Sequence, residues 1–121
     1  MFTIPKPKRE RPAAPRRIDF ELLLCKAICA KQVTRIRYEN EWYSRTFEPH
    51  IIFRSSTGKV LVHGLQTKAD SNPAQGQNLR SFEVGLLNSV VLIEETFQHE
   101  GVLSSFKVEG GMNVICAVDR L

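Results

Sequence analysis

At 121 residues and 13.8 kDa, with 42% hydrophobic and 25% charged residues, the chain has the balance of one globular domain with a modest core. No apolar run approaches the roughly 18 residues that a membrane-crossing helix needs, so a membrane partner of that kind is not expected. The net charge of +4 is unevenly placed: residues 1–17 hold six Lys or Arg against one Glu, which leaves the remainder at −1 and makes the pI of about 9.2 a property of the tail.

That tail, residues 1–17, carries Pro5, Pro7, Pro12 and Pro15 and almost no apolar periodicity, which predicts an extended, mobile arm. Such an arm suits the phosphates of a nucleic acid, and equally serves as a solubilising leader into the fold. Ile4 is followed at once by Pro5, Lys6, Pro7 and Lys8, unlike a secretory signal, so a cytoplasmic protein is expected. Asp19 then reads as the cap of a helix running to about Lys31. Phe20, Leu23, Leu24, Ala27 and Ile28 recur there at helical spacing. Leu22, Cys25 and Cys29 lie on the opposite side. A second contact is expected on that side, either another subunit in a homodimer or the C-terminal segment; simple exposure of Leu22 is the plain alternative.

Beyond Gln32 the sequence reads as short strands. Val33–Tyr38 alternates, Glu39-Asn40-Glu41 turns, and Trp42–Phe53 forms a longer strand with Pro49 as a bend or edge position. Ser55-Ser56-Thr57-Gly58 turns into Lys59–Leu65, which is apolar on both faces and therefore central. A polar connection, Gln66–Leu79, leads to Arg80–Val84, then a Gly85-Leu86-Leu87 link, then Asn88–Glu94. Met112–Val118 closes the series after Gly110-Gly111. One helix followed by five or six short antiparallel strands predicts a mainly β fold, a small Sm-like or SH3-like β-barrel whose closure removes exposed edges. The expected division is an arm (1–17), a β-barrel domain with its leading helix (18–97) and a C-terminal extension (98–121) that adds a strand.

Two cations stand out against this alternation. Arg45 shares its period-two face with Phe47 and Ile51, and Arg80 shares its face with Phe82 and Val84. A guanidinium is not left unpaired in an apolar interior. Both are therefore expected at the rim of the core, either salt-bridged (Arg80 to Glu48 or Glu83) or facing an anionic ligand. No phosphate-binding glycine pattern or Ser/His/Asp order is legible, so an enzyme is not expected. Cys25, Cys29 and Cys116 form no disulfide framework, and with His50, His63 and His99 scattered no metal or cofactor is expected either.

The stretches Arg45-Thr46-Phe47-Glu48-Pro49-His50 and Arg80-Ser81-Phe82, approached through Ala27-Ile28 and Arg35-Ile36-Arg37-Tyr38, resemble the WYL domain family over roughly residues 18–95. The resemblance implies a small Sm-like barrel whose Arg-x-x-x-Pro strand falls on Arg45 with Pro49, and whose Arg-x-Phe strand falls on Arg80 with Phe82. The Trp-Tyr-Leu tripeptide that names the family falls here at Val60-Leu61-Val62, and a second basic residue of the family falls near Leu86. Typical members also carry a helix-turn-helix domain, so the expectation here is a free-standing, divergent relative.

What the resemblance implies is a non-enzymatic sensor module for single-stranded nucleic acid or a nucleotide-type ligand. Arg45, Arg80 and Arg37 would contact phosphates, Phe82 and Tyr43 would offer stacking faces, and His50 and His63 would add hydrogen bonds. Each has a plainer reading: paired arginines, a core Phe82, structural histidines, with Trp42 and Tyr43 the exposed aromatics. The alternative function is a protein–protein interaction scaffold with structural arginines, and a third is a small nuclease.

Overall fold

The computed structural model describes residues 11–72, 76–98, 101–103 and 106–118. Most of the basic arm (1–10), Pro73 in the polar connection, His99 and the last residues of the C-terminal extension (119–121) lie outside them. Helix α1 (Ile18–Ala30) precedes strands β1 (Gln32–Tyr38), β2 (Arg45–Arg54), β3 (Val60–Ala69), β4 (Asn78–Glu83), β5 (Leu87–Thr96) and β6 (Asn113–Ala117), with a single 3-10 turn at Val84–Leu86. The fold is mainly β, and no helix among the described residues is long and apolar enough to cross a membrane.

The helix begins two residues earlier than its sequence suggests. Arg17 is the N-cap residue without a side-chain cap, and Asp19 sits inside the first turn. There its carboxylate accepts from Arg17 Nε (3.0 Å) and Nη2 (2.8 Å) instead of capping. A carboxylate in the first turn still favours the helix through its dipole. Lys31 ends the helix in the left-handed region (φ 53°), its N–H reaching the Ala27 and Ile28 carbonyls, and the chain enters β1 directly. Phe20, Leu24, Ala27 and Ile28 are buried on the sheet as the spacing predicts, while Leu23 lies at the border and Leu22 is exposed. The second side of the helix does meet the C-terminal segment: Cys25 and Cys116 both pack on the core, and the Cys116 thiol reaches the Cys25 carbonyl (3.9 Å).

All six strands join one antiparallel sheet in the order β4-β3-β2-β1-β5, with β6 added to β2. β2 is the spine. Its first residues pair with β1, its last four pair with β6, and β3 follows it along its length. That is why the alternation that runs from Arg45 to Pro49 then gives way to continuous burial through Ile51, Ile52 and Phe53. The expected barrel is not closed, because no ladder joins β4 to β5. The sheet nevertheless curls strongly. β4 and β5 end opposite edges, yet only the Val84–Leu86 turn separates them in the chain, and three residues span about 10 Å at most. Glu39 N–H donates to the Leu86 carbonyl (2.8 Å), tying the β1 end to that turn. The core of Phe20, Leu24, Ile28, Ile36, Phe47, Val62, Phe82 and Leu87 fills the space between helix and curled sheet.

Residues 11–17 run extended across the same seam. Ala14 N–H donates to Glu83 Oε2 (2.7 Å), Arg11 pairs with Glu39 (2.8 Å), and the Pro15 carbonyl lies so close to Gly85 that a Cβ there would collide with it.

Pro49 sits where expected for a residue lacking an N–H donor: the β2–β3 register slips between Pro49 and Ile51, a bulge that spares the ladder a donor. The bulge presses β2 onto Gly64, where an added Cβ would strike the Glu48 carbonyl and approach the Phe47 ring to 3.0 Å. Gly64→Ala is therefore expected to cost about 2 kcal/mol of stability. Urea unfolding measures this, and an unchanged midpoint would show that the two strands have room to separate.

Candidate functional site

Where β1 turns toward β2, Glu39 adopts a left-handed conformation (φ 49°) and Glu41 N–H donates back to the Tyr38 carbonyl (3.0 Å). This tight reversal forms one wall of a concavity of about 390 Å³. Tyr38, Glu39, Asn40 and Glu41 line that wall, Arg45 enters from β2, and Arg80, Ser81 and Phe82 come from β4. The two arginines that the sequence singles out thus share one groove. Their states differ.

Arg45 is buried, and its side chain is only 8% exposed. Its Nε donates to Glu41 Oε1 (3.1 Å) and its Nη2 to Glu41 Oε2 (2.6 Å), a two-pronged pair. Nη2 also donates to the Tyr43 hydroxyl (2.7 Å), which in turn donates to Glu41 Oε2 (2.6 Å). Nη1 donates to the buried Gln66 Oε1 (2.7 Å), so four of the five guanidinium N–H groups are engaged. Burial disfavours ionisation of Glu41, but the hydrogen bonds from Arg45 and Tyr43, with the charges of Arg45 and Arg80, outweigh it and hold the carboxyl below its usual range.

Arg80 is exposed and, among the described residues, makes no ion pair or hydrogen bond. Neither partner suggested for it is engaged with it. Glu83 takes the Ala14 N–H, and the Glu48 carboxyl is pushed up by burial and by Glu95. Its guanidinium carbon stands 5.7 Å from the centre of the Phe82 ring, whose other cationic neighbour is Arg45 at 5.4 Å.

The remaining expected residues divide. Tyr43 is half-buried, and its hydroxyl is committed to Arg45 and Glu41. Phe82 is only 3% exposed and packs against Tyr38 and, edge to face, against Phe47, so it is core rather than a platform for a base. Arg37 is exposed but does not line the groove; its Nε donates to the Glu41 carbonyl (2.9 Å) and steadies the turn from behind. His50 is fully buried at the β2 bulge, with Nδ1 on the Glu48 carbonyl (2.7 Å) and its ring against Phe97. His63 pairs across strands with Ser81 (2.7 Å) and stacks near Phe106; burial lowers its pKa, so it adds no charge at neutral pH. Both histidines belong to the packing.

Two residues of the site carried no legible sequence signal. Glu41 and Gln66 complete the Arg45 network, but the first sits in a turn and the second on a strand read as loop. Trp42, on the turn beside the groove and against the Tyr43 ring (5.4 Å), is 77% exposed. Among the described residues no cluster of His, Cys, Asp and Glu is suited to a metal ion. No protein-family model, curated protein or solved structure matches the chain.

Glu41→Gln keeps the shape of the network and removes the counter-charge of Arg45, which is expected to cost about 1–3 kcal/mol. The folded-state pKa of Glu41 is depressed, so its contribution is present above the unfolded value of about 4.3 and is lost as pH falls through the lower folded-state value. Stability measured from pH 6 down to pH 3 should therefore fall less steeply in Glu41→Gln than in the parent protein. Parallel acid limbs would show that Arg45 does not depend on an ionised Glu41.

Proposed function

We propose that the chain is a non-enzymatic, ligand-binding regulatory module, a divergent WYL-like domain, that takes a phosphate-bearing ligand such as single-stranded nucleic acid or an oligonucleotide at the Arg80 groove. The observation that carries this reading is the asymmetry of the two arginines. Arg45 is neutralised within the sheet, whereas Arg80 lies exposed in the same groove without an ion pair among the described residues. A single guanidinium so placed suits one phosphate group through two parallel hydrogen bonds. Trp42 offers a solvent-facing ring for a neighbouring base, in place of the enclosed Phe82.

The open curled sheet would be this chain's counterpart of the small Sm-like barrel in WYL domains, and the cytoplasm its place of action. The basic arm would add affinity without sequence preference.

The test is a fluorescence-anisotropy titration with short single-stranded DNA and RNA at 50 and 200 mM salt. Binding should weaken with salt, and Arg80→Ala should weaken it about tenfold with no change in melting temperature. Wild-type affinity in Arg80→Ala, or salt-independent binding, would overturn the reading.

A second reading, a protein–protein scaffold, is favoured by Ile18 and Leu22 on α1 and by Val114 and Ile115 on β6, all more than 40% exposed. A homodimer through the helix is its simplest form. A dimer in sedimentation, with no anisotropy response to oligonucleotide, would move the function to this reading.

A further inference from the structure

The three cysteines, far apart in sequence, meet at one seam. Cys25 and Cys29 stand one helical turn apart on α1, and Cys116 is carried by β6. The Cys116 thiol reaches the Cys25 carbonyl (3.9 Å), which in an α-helix faces the Cys29 N–H, so Cys116 lies beside the turn that carries both helix thiols. Their exposures differ: Cys29 is exposed, while Cys25 and Cys116 are half-buried against the core. β6 is otherwise held by a short ladder to the last residues of β2, Ile51 to Arg54. Two of the three thiols thus belong to the helix and the third to the strand it covers.

We propose that this seam is a thiol–disulfide exchange site in which Cys29 is the entry thiol and Cys116 the resolving thiol, so that a small-molecule disulfide such as oxidised glutathione staples β6 to α1. In the first step the Cys29 thiolate attacks one sulfur of the external disulfide. A Cys29–glutathione bond forms, the external S–S bond breaks, and the released glutathione thiolate takes up the proton that Cys29 gave up. In the second step the Cys116 sulfur, its proton passing to the leaving thiolate, attacks the Cys29 sulfur and expels a second glutathione. The protein is oxidised by two electrons, and both are carried away on two molecules of reduced glutathione.

The order of attack follows from access. An exposed thiol is open to a bulky disulfide, whereas burial keeps the Cys25 and Cys116 thiols protonated and shielded, so neither is the first to react. The staple would close a loop that contains nearly the whole sheet, and loops of that length restrict the unfolded chain strongly.

Peptide mapping by mass spectrometry after incubation with oxidised glutathione, run without reductant, tests this. The parent protein and Cys25→Ser should yield a Cys29–Cys116 linked peptide, a loss of two hydrogens and a melting temperature higher by about 5 °C or more. Cys116→Ser should stop at a stable glutathione adduct on Cys29. Cys29→Ser, whose side chain is exposed and so leaves folding intact, should react at least tenfold more slowly. A parent protein that stops at the Cys29 adduct, or that forms only covalent dimers through Cys29, would overturn the proposal.

Discussion

A guanidinium inside a protein needs acceptors for its N–H groups, and Arg45 finds them in its own neighbourhood. Glu41 supplies two oxygens, Tyr43 a hydroxyl and Gln66 an amide oxygen. Those partners come from the β1–β2 turn and from β3, so one buried cation holds three parts of the chain together. The turn is placed, the groove wall is placed with it, and Trp42 is left outside on the same turn. Removing the counter-charge would leave a nearly buried cation without its partner, which is why the network is costly to break and informative to probe.

The same satisfaction explains the difference between the two arginines. Arg45 lies on the spine strand, where β1 and β3 flank it on either side, and only a nearly complete set of internal hydrogen bonds makes its burial tolerable. Arg80 lies on β4, which has a neighbour on one side only, so water can serve it when no ligand does. Phe82 touches both cations with its ring and is enclosed by Tyr38 and Phe47, giving the groove a rigid apolar floor beneath one exposed charge. The two carboxylates beside this charge are already paired, Glu39 with Arg11 and Glu41 with Arg45.

Much of the fold was legible, and the failures have physical causes. The helix face showed through Phe20, Leu24, Ala27 and Ile28 because their spacing and burial agree. Asp19 misled as a cap because a short carboxylate near a helix start serves equally well in the first turn, and Arg17 engages it there. Gln66–Ala69 read as loop because it is polar, yet it extends β3: Gln66 is buried through its bond to Arg45, and Lys68 faces solvent. Closure into a barrel was inferred from strand number, but strand number does not say whether the last two edges meet, and here they do not. At the site, the inward placement of Arg45 was visible from alternation. Its partners were not, because a turn glutamate and a strand glutamine reach it only through the tertiary fold. Arg80 shares its pattern and has a different fate, since alternation reports a face and not the distance from an edge.

The central claim is that Arg45 is part of the structure and Arg80 is the contact for an anion. The most direct measurement follows the Nε–Hε resonances of the two arginines by nuclear magnetic resonance while a short oligothymidylate is added. The account predicts a saturable shift at Arg80 with Arg45 nearly unmoved and still protected from solvent exchange. Movement at Arg45 without movement at Arg80, or none at either when the oligonucleotide is in large excess, would contradict it.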